Sequence, residues 1–296
     1  MKRAAVIALD IGATSIKAAV LDTEGNFLAK ASAPTQGAAG PERVLDNAAA
    51  LAGQLSRGLA PKAIGVSSCG MIDPRRSTVV YATSVMPGWA GTNIAAGLKA
   101  RTGLRCAARN DGDCAALGEA LYGAGKGAAV FAMYTLGTGV GGGITIKGRL
   151  LDGENCAAGR LGHVKVHPGG RLCACGARGC LEAYASAYAC RAALEMEPKQ
   201  AFALAAKGDK AGEAFVHAAA NALGLAFADL ANTLNPGVIA VGGGMAAGWR
   251  LMKAGIMETF AANALPQACG SIRIVPAVTG NDAGLLGAFA LVSKKF

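Results

Sequence analysis

The feature that most constrains the fold of this chain is a strand, a tight glycine-bearing turn and a return strand, and it occurs twice. Residues 4–9 form an apolar run that enters a turn at Gly12, returns over residues 17–21 and adds a third strand at 27–31. Residues 130–136 enter the glycine-rich stretch at 137–143 and return over 144–147. Each meander is followed by alternating elements. The first half predicts helices at 41–55, 92–100 and 113–121 around strands at 63–66 and 104–108. The second predicts helices at 182–194, 198–206, 212–234, 249–263 and 283–293 around strands at 238–241 and 272–275. This is a duplicated α/β design. It divides into a small domain, residues 1–118 with the closing helix 283–296 packed on it, and a large domain, 119–282. Gly123, Gly125 and Gly127 serve as the hinge, and a ligand cleft lies between the domains.

Of the 296 residues, 52% are hydrophobic and 16% charged, which excludes a disordered chain. The net charge is 29 − 19 = +10. Its basic residues are scattered, the tightest groups being Lys2-Arg3, Arg75-Arg76 and Lys294-Lys295, with no basic stripe interleaved with aromatics. No nucleic-acid partner is expected. The opening apolar run stops at Asp10, too short for a secretion signal. Residues 214–234 carry His217, Asn221, Asp229 and Asn232, a polar load that a membrane span does not tolerate. The reading is therefore a cytoplasmic protein with no membrane partner.

Nine cysteines fall into two groups. Cys69, Cys106, Cys114, Cys156, Cys190 and Cys269 are scattered and read as small buried hydrophobes. Cys173, Cys175 and Cys180 cluster, with His163 upstream. One imidazole and three thiols at this spacing fit a closed tetrahedral Zn²⁺ site, structural because four protein ligands leave no open position. Glu182 follows the last ligand, so the metal would fix its place. His167 and His217 read as surface or packing histidines.

Three glycine-bearing segments suit phosphate or nucleotide. Asp10-Ile11-Gly12-Ala13-Thr14-Ser15-Ile16-Lys17 offers turn amides, the Thr14 and Ser15 hydroxyls, the Lys17 cation and a carboxylate for hydrated Mg²⁺ at Asp10, although an ordinary polar-tipped hairpin fits equally well. Gly137-Thr138-Gly139-Val140-Gly141-Gly142 matches the G-x-G-x-x-G pattern. It continues as a strand and not a helix, so it reads as a phosphate-facing hairpin and not a dinucleotide turn. Gly242, Gly243 and Gly244 end a strand, where a base or ribose can lie close to the backbone. In Arg109-Asn110-Asp111-Gly112-Asp113, Asp113 reads as a helix N-cap and Asp111, at the strand mouth, as a candidate general base.

Together these segments resemble the ROK family of sugar kinases, of the actin/hexokinase-like (ribonuclease H-like) ATPase superfamily, across essentially the whole chain. The resemblance implies a two-domain α/β fold with an inter-domain cleft. It implies an ATP-dependent kinase acting on the 6-hydroxyl of a hexose, glucose by default, with ATP, Mg²⁺ and structural Zn²⁺ as cofactors and a homodimeric assembly. Asp10, Gly12, Thr14, Ser15, Lys17, Gly137, Thr138, Gly139, Gly242, Gly243 and Gly244 are the implied nucleotide contacts. Asp111 is the implied catalytic base, and Gly70, Thr83, Asn110, Asp111, Arg160, His163 and Glu182 are the implied sugar contacts. His163, Cys173, Cys175 and Cys180 are the implied metal ligands. The sequence departs from the family in having Arg160 where a glutamate is usual. It also has Ala13 in place of a second glycine, and Val85 where many glucose-using members have asparagine. Arg160 exchanges an acceptor for a donor. N-acetylmannosamine or N-acetylglucosamine kinase is the alternative, because the run from Asn110 to Leu117 and Thr83 also resemble the amino-sugar branch, and a non-catalytic sugar sensor is the alternative of another class.

Overall fold

The computed structural model describes residues 4–83 and 85–293. The basic pairs Lys2-Arg3 and Lys294-Lys295, and the end of the closing helix expected to reach 296, lie outside them. The chain forms two compact units. Unit 1 takes the described residues up to Gly118, the segment Asp152–Ala158, and those from Asn281 on. Unit 2 takes Glu119–Leu151 and Gly159–Gly280.

In unit 1, β1 (Ala4–Ile11), β2 (Ser15–Leu21) and β3 (Phe27–Pro34) form an antiparallel meander. α1 (Pro41–Leu55) leads to β4 (Ala60–Ser68), and the short strands β5 (Met71–Asp73) and β6 (Thr78–Tyr81) form a separate hairpin. α2 (Ile94–Thr102), β7 (Arg105–Asn110) and α3 (Asp111–Tyr122) follow. The sheet order is β3-β2-β1-β4-β7, with β4 parallel to β1 and β7 parallel to β4. The central strands are covered on both faces, so they read as near-continuous apolar runs and not as alternating patterns. α1 and α2 cover one face, with Leu45, Leu51, Ile94 and Leu98 in its core.

Unit 2 repeats the plan with β8 (Val130–Leu136), β9 (Val140–Ile146) and β10 (Arg149–Leu150), then α4 (Ala187–Leu194), α5 (Pro198–Ala205) and α6 (Lys210–Leu234). β11 (Val238–Gly242), α7 (Trp249–Asn263), α8 (Pro266–Cys269) and β12 (Arg273–Pro276) complete it. Its sheet runs β10-β9-β8-β11-β12, so both sheets share one order: third, second, first, fourth, fifth. α6 is the core helix. It is the only described helix long and apolar enough to cross a membrane, and 67% of its most apolar window is buried inside the fold. α9 (Ala283–Ser293) belongs to unit 1 and packs on β1 and β4 opposite α1. It lies so close that a Cβ on Gly65 would stand 1.8 Å from the Ala288 carbonyl oxygen.

Four expectations need correction. The helix expected over 182–194 is a 3-10 turn, Leu181–Ala183, followed by α4. Ser186 separates them, its Oγ accepting from Ala189 N at 3.0 Å and donating to Glu182 O at 2.7 Å. The β5–β6 hairpin was not foreseen, because its two short strands flank a turn in which Arg75 N bonds the Asp73 side chain and Ser77 has positive φ. Of the scattered cysteines only Cys114 and Cys190 are buried, although burial pushes the half-exposed Cys106 thiol up to about 12. Two of the three glycines assigned to a hinge are tightly packed, whereas an added Cβ on Gly127 would meet nothing within 4 Å. A Cβ on Gly123 would stand 2.0 Å from a Glu119 carboxylate oxygen, and one on Gly125 2.4 Å from the Phe131 ring.

Gly123 makes room for Glu119, which is fully buried. One carboxylate oxygen accepts from Val278 N (2.9 Å), Thr279 N (2.6 Å) and the Thr279 hydroxyl, and the other accepts from Ala124 N (2.8 Å). The carboxylate thus fastens residues 119–124 to residues 278–279, the two stretches of unit 2 that adjoin its chain crossings at Gly118/Glu119 and Gly280/Asn281. Glu119→Ala strands four donors at once, the amides of Ala124, Val278 and Thr279 and the Thr279 hydroxyl. It should cost about 3 kcal/mol or more of stability, since each unsatisfied buried group costs about 1–3 kcal/mol. Thermal melting checks this, with Glu119→Gln, which keeps one acceptor, falling between the two proteins.

Candidate functional site

The parallel strands of unit 1 bring three segments to one end of its sheet. Asp10 lies opposite Ser67 and Ser67 opposite Arg109, while Ile11 lies opposite Ser68 and Ser68 opposite Asn110. This is the carboxyl end of β1, β4 and β7, where open α/β sheets place ligands. Asp10 accepts from Ser67 Oγ at 2.6 Å and lies across the β1–β2 ladder from Lys17. The turn between them closes through Gly12 N donating to Ser15 O at 3.1 Å. Thr35 pins that turn from outside. Its hydroxyl donates to Gly12 O at 2.7 Å and its amide to Thr14 O at 3.0 Å. Thr35 is fully buried, and nothing in the local sequence marks it.

Asp111 is exposed and is the first residue of α3, not the last of the strand. Its Oδ1 accepts from Gly112 N at 2.8 Å, and Asn110 Oδ1 accepts from the same amide at 3.0 Å. Asn110 therefore supplies the helix-end contact expected of Asp113, which instead sits buried in the first turn. Asn110 Nδ2 donates to Gly70 O at 2.7 Å, so these residues form one constellation. Gly70 has φ +96°, and a Cβ there would stand 2.8 Å from Tyr81 O. Thr83 is exposed on the loop after β6. Burial and the neighbouring Asp111 charge raise the adjacent Cys69 thiol to about 11. Arg109 makes a two-pronged ion pair with Asp152 of the segment Asp152–Ala158.

In unit 2 the second glycine turn is shorter than its sequence suggests. Only Gly137, Thr138 and Gly139 form the turn, with Gly137 N donating to Gly139 O at 2.9 Å. Gly141, Gly142 and Gly143 belong to β9, where their role is packing. A Cβ on Gly142 would lie 3.1 Å from Leu161 Cδ1 and one on Gly162 2.1 Å from Val140 O, so the 3-10 turn Leu161–His163 rests directly on the strand. Arg160 precedes that turn and is half-buried. Gly242 pairs with Thr135, which brings the third glycine segment to the same sheet end. Gly243 has φ +85°, and a Cβ there would stand 2.3 Å from Leu136 O, whereas one on Gly244 would meet nothing within 4 Å.

His163, Cys173, Cys175 and Cys180 converge with their ligand atoms all within 4.8 Å of one another. Cys175 Sγ lies 3.7 Å from Cys180 Sγ, and Cys173 Sγ 3.9 Å from His163 Nδ1. A tetrahedral ion with metal–sulfur bonds of about 2.3 Å has ligand–ligand edges of about 3.8 Å, so the set fits a closed four-coordinate metal. The knuckle is shaped by backbone bonds, Cys173 N to Ala177 O at 2.8 Å and Gly176 N to Cys173 O at 2.9 Å. Burial pushes the Cys173 thiol up to about 12, while the Ala177 backbone bond draws the exposed Cys175 thiol below its usual value. Lys165 Nζ, not singled out in the sequence, stands 2.8 Å from Cys180 Sγ, a contact that raises the lysine's own pKa. Glu182 lies beside this knuckle. Its Oε2 accepts from Val140 N at 2.9 Å and its Oε1 faces Cys173 Sγ at 3.5 Å.

Two units of one sheet order, each with a short turn at the carboxyl end of its parallel strands, define an α/β fold of the actin/hexokinase-like ATPase class. The model of the ROK family matches residues 6–295, and the chain belongs to that family. A glucokinase from Halalkalibacterium halodurans is 37% identical, with 98% of this chain and 95% of the relative covered. An N-acetylmannosamine kinase from Escherichia coli is 31% identical over 96% and 97%. Among solved structures, a ROK hexokinase from Thermus thermophilus has a TM-score of 0.88 at 33% identity, covering 98% of each chain. A ROK glucokinase from Streptomyces griseus, in complex with glucose and AMPPNP, has a TM-score of 0.81 at 32% identity over 98% and 99%.

The geometry at Gly243 and Gly244 separates two adjacent glycines. Gly243→Ala combines left-handed backbone strain with a backbone clash and should cost on the order of 2–4 kcal/mol, whereas Gly244→Ala should stay within about 0.5 kcal/mol of the parent. Thermal melting of the two variants side by side checks the contrast.

Proposed function

We propose that this ROK-family sugar kinase transfers the γ-phosphoryl group of ATP to the 6-hydroxyl of a hexose, with glucose as the first candidate. The observation that carries this reading is the constellation of Asp111, Asn110 and Gly70 at the same sheet end as Asp10 and the Thr35-pinned turn. A carboxylate beside a phosphate-type turn suits general-base phosphoryl transfer. The similarity to glucokinases and to the glucose and AMPPNP complex supports both substrates.

In this reaction Asp111 accepts the proton of the 6-hydroxyl as the hydroxyl oxygen bonds to the γ-phosphorus. The bond from that phosphorus to the bridging oxygen breaks, and ADP departs with the electron pair. The Gly112 amide orients the Asp111 carboxylate, and Asn110 holds a neighbouring sugar hydroxyl from its place on Gly70 O. Gly12, Thr14, Ser15, Lys17, Gly137, Thr138 and Gly139 are the phosphate contacts of this reading. Gly242, Gly243 and Gly244 lie against the adenosine. Most of the catalysis is then positioning and charge stabilisation. Mg²⁺, supported by Asp10, neutralises phosphate charge when bound. His163, Cys173, Cys175 and Cys180 would hold a structural Zn²⁺ and so brace the loop carrying Arg160, His163 and Glu182; these three, with Gly70 and Thr83, are the further sugar contacts of this reading. The enzyme is cytoplasmic and homodimeric in this reading.

N-acetylmannosamine is the second candidate substrate, favoured by the Escherichia coli relative. Arg160 puts a donor-only guanidinium where a carboxylate would accept from sugar hydroxyls, and a hydroxyl or an acetamido carbonyl can each accept from it.

Coupled ADP release with Mg-ATP across glucose, mannose, fructose, N-acetylglucosamine and N-acetylmannosamine tests the reading, with turnover expected on glucose or N-acetylmannosamine. Asp111→Ala should keep the fold and lose at least about a thousandfold in kcat, within the range general-base catalysis supplies. Near-normal turnover in that variant would remove the base assignment. Metal uptake supplies a further check. The Cys173 thiol, held up to about 12, is protonated in the metal-free protein at neutral pH, and a metal binds the thiolate. Zn²⁺ binding should therefore release at least one proton and strengthen as pH rises from about 6 to 8. Calorimetry in buffers of different ionisation enthalpy reads the proton count, and uptake without release would contradict the ligand set.

A further inference from the structure

The second glycine turn is held on three sides by one short segment that begins at a metal ligand. Cys180 is followed at once by the 3-10 turn Leu181–Ala183 and then by α4. Glu182 Oε2 caps Val140 N at 2.9 Å. The first turn of α4 donates Ala187 N to Gly137 O at 2.9 Å and Tyr188 N to Thr138 O at 3.0 Å. Ser186 locks the two pieces together through its 2.7 Å bond to Glu182 O.

This arrangement has a chemical consequence. A phosphate is bound by N–H donors and repelled by carbonyl oxygens. Two carbonyls of the turn are tied into the helix terminus, where they satisfy amides that have no partner within the helix. Gly139 is explained by the same contact, because a Cβ there would stand 2.2 Å from Glu182 Oε2. The carboxylate faces the metal centre with its other oxygen, 3.5 Å from Cys173 Sγ. All of these residues lie in unit 2.

We propose that Glu182 and the first turn of α4 are a clasp that shapes the second glycine turn for the phosphates of the nucleotide, and that the four-ligand centre sets the clasp. Glu182 is then a positioning residue for the nucleotide as well as a sugar contact, and metal loading governs nucleotide affinity in the absence of sugar. The inference rests on the kinase reading for the identity of the ligand. Its mechanical part, metal centre to turn, stands on the contacts alone. Without a cation the thiols and imidazole are no longer cross-linked, and the loop carrying Glu182 loses its fixed anchor.

The test measures the affinity for Mg-AMPPNP without sugar, and backbone amide exchange at residues 137–140, in four proteins. These are zinc-loaded wild type, zinc-stripped wild type, Glu182→Ala and Glu182→Gln. Glu182→Ala should bind the analogue on the order of tenfold more weakly and exchange Val140 faster by a similar factor, the loss expected for a charged hydrogen bond. Its zinc content should be unchanged. Glu182→Gln keeps an oxygen for Val140 N and should stay within about threefold of wild type, since the bond loses its charge but not its acceptor. Zinc-stripped wild type should resemble Glu182→Ala. A folded, zinc-loaded Glu182→Ala with wild-type affinity and wild-type Val140 exchange overturns the proposal. Should that variant not fold, unchanged exchange at 137–140 on stripping zinc from wild type overturns it equally. Wild type that binds no Mg-AMPPNP overturns the kinase reading instead, and the exchange comparison then decides the clasp on its own.

Discussion

Backbones that meet with no side chain between them set the geometry of this protein. α9 lies on β4 because Gly65 leaves room for the Ala288 carbonyl, and it lies against α3 because Gly287 leaves room for that of Cys114. In unit 2 the same device seats the Leu161–His163 turn on β9 through Gly142 and Gly162. Layers this close give high contact density for few atoms, so a fold rich in glycine and alanine can still be tightly packed. Glycine costs backbone entropy, which is recovered only where its missing Cβ is used. At these positions it is used fully. An added Cβ would meet backbone atoms, which cannot swing aside as a side chain can.

The repeated sheet order converts this packing into sites. In each unit the meander turns at the carboxyl end of its first strand, and the parallel strand beside it ends at the same edge. Each turn therefore lies beside the residues that end or follow the neighbouring strand: Ser67, Ser68 and Gly70 in unit 1, Gly243 and Gly244 in unit 2. Each turn also has an external fastener. A neutral threonine, Thr35, holds the first, and a carboxylate, Glu182, holds the second. The difference matters electrically. A carboxylate beside the second turn raises the local negative potential, and the Lys165 ammonium at the cysteine knuckle offsets part of it.

Much of the fold was legible because its signals are local. Pro41 starts a helix that ends at Leu55, residues 249–263 carry Met252, Ile256 and Phe260 at four-residue spacing, and residues 283–293 are apolar almost throughout. Glycine and asparagine in the early turns gave the meander. The convergence of Cys173, Cys175 and Cys180 was legible for the same reason, since the three lie within eight residues. What local pattern did not reveal depends on distant partners. Thr35, Lys165 and Glu119 look like ordinary polar residues until the fold brings Gly12, Cys180 and Thr279 to them. The glycines at 123, 125 and 141–143 were read as flexible or ligand-facing, because a sequence does not state whether a missing Cβ faces solvent or another backbone. The segment Asp152–Ala158 is the strongest case. It lies in sequence between strands and turns of unit 2, yet packs in unit 1 through the pairing of Asp152 with Arg109.

That ion pair places two of the chain's charged residues in complementary roles. Arg109 adjoins Asn110 and Asp111, and its guanidinium is engaged by a two-pronged carboxylate. Its charge near the candidate base is thereby compensated and its fork geometry occupied. Arg160, two residues past the end of the same segment, sits at the start of the turn that carries His163. One arginine thus serves the chain's own architecture, while the other lies on the loop that leads into His163 of the four-residue metal-type cluster. In the proposed reaction the backbone turns and Asp111 supply the chemistry common to any hexose. The choice among hexoses falls to side chains on that loop. Changing a glutamate to an arginine there alters which hydroxyl or amide the sugar must present, and it leaves the phosphate turns and their fasteners untouched.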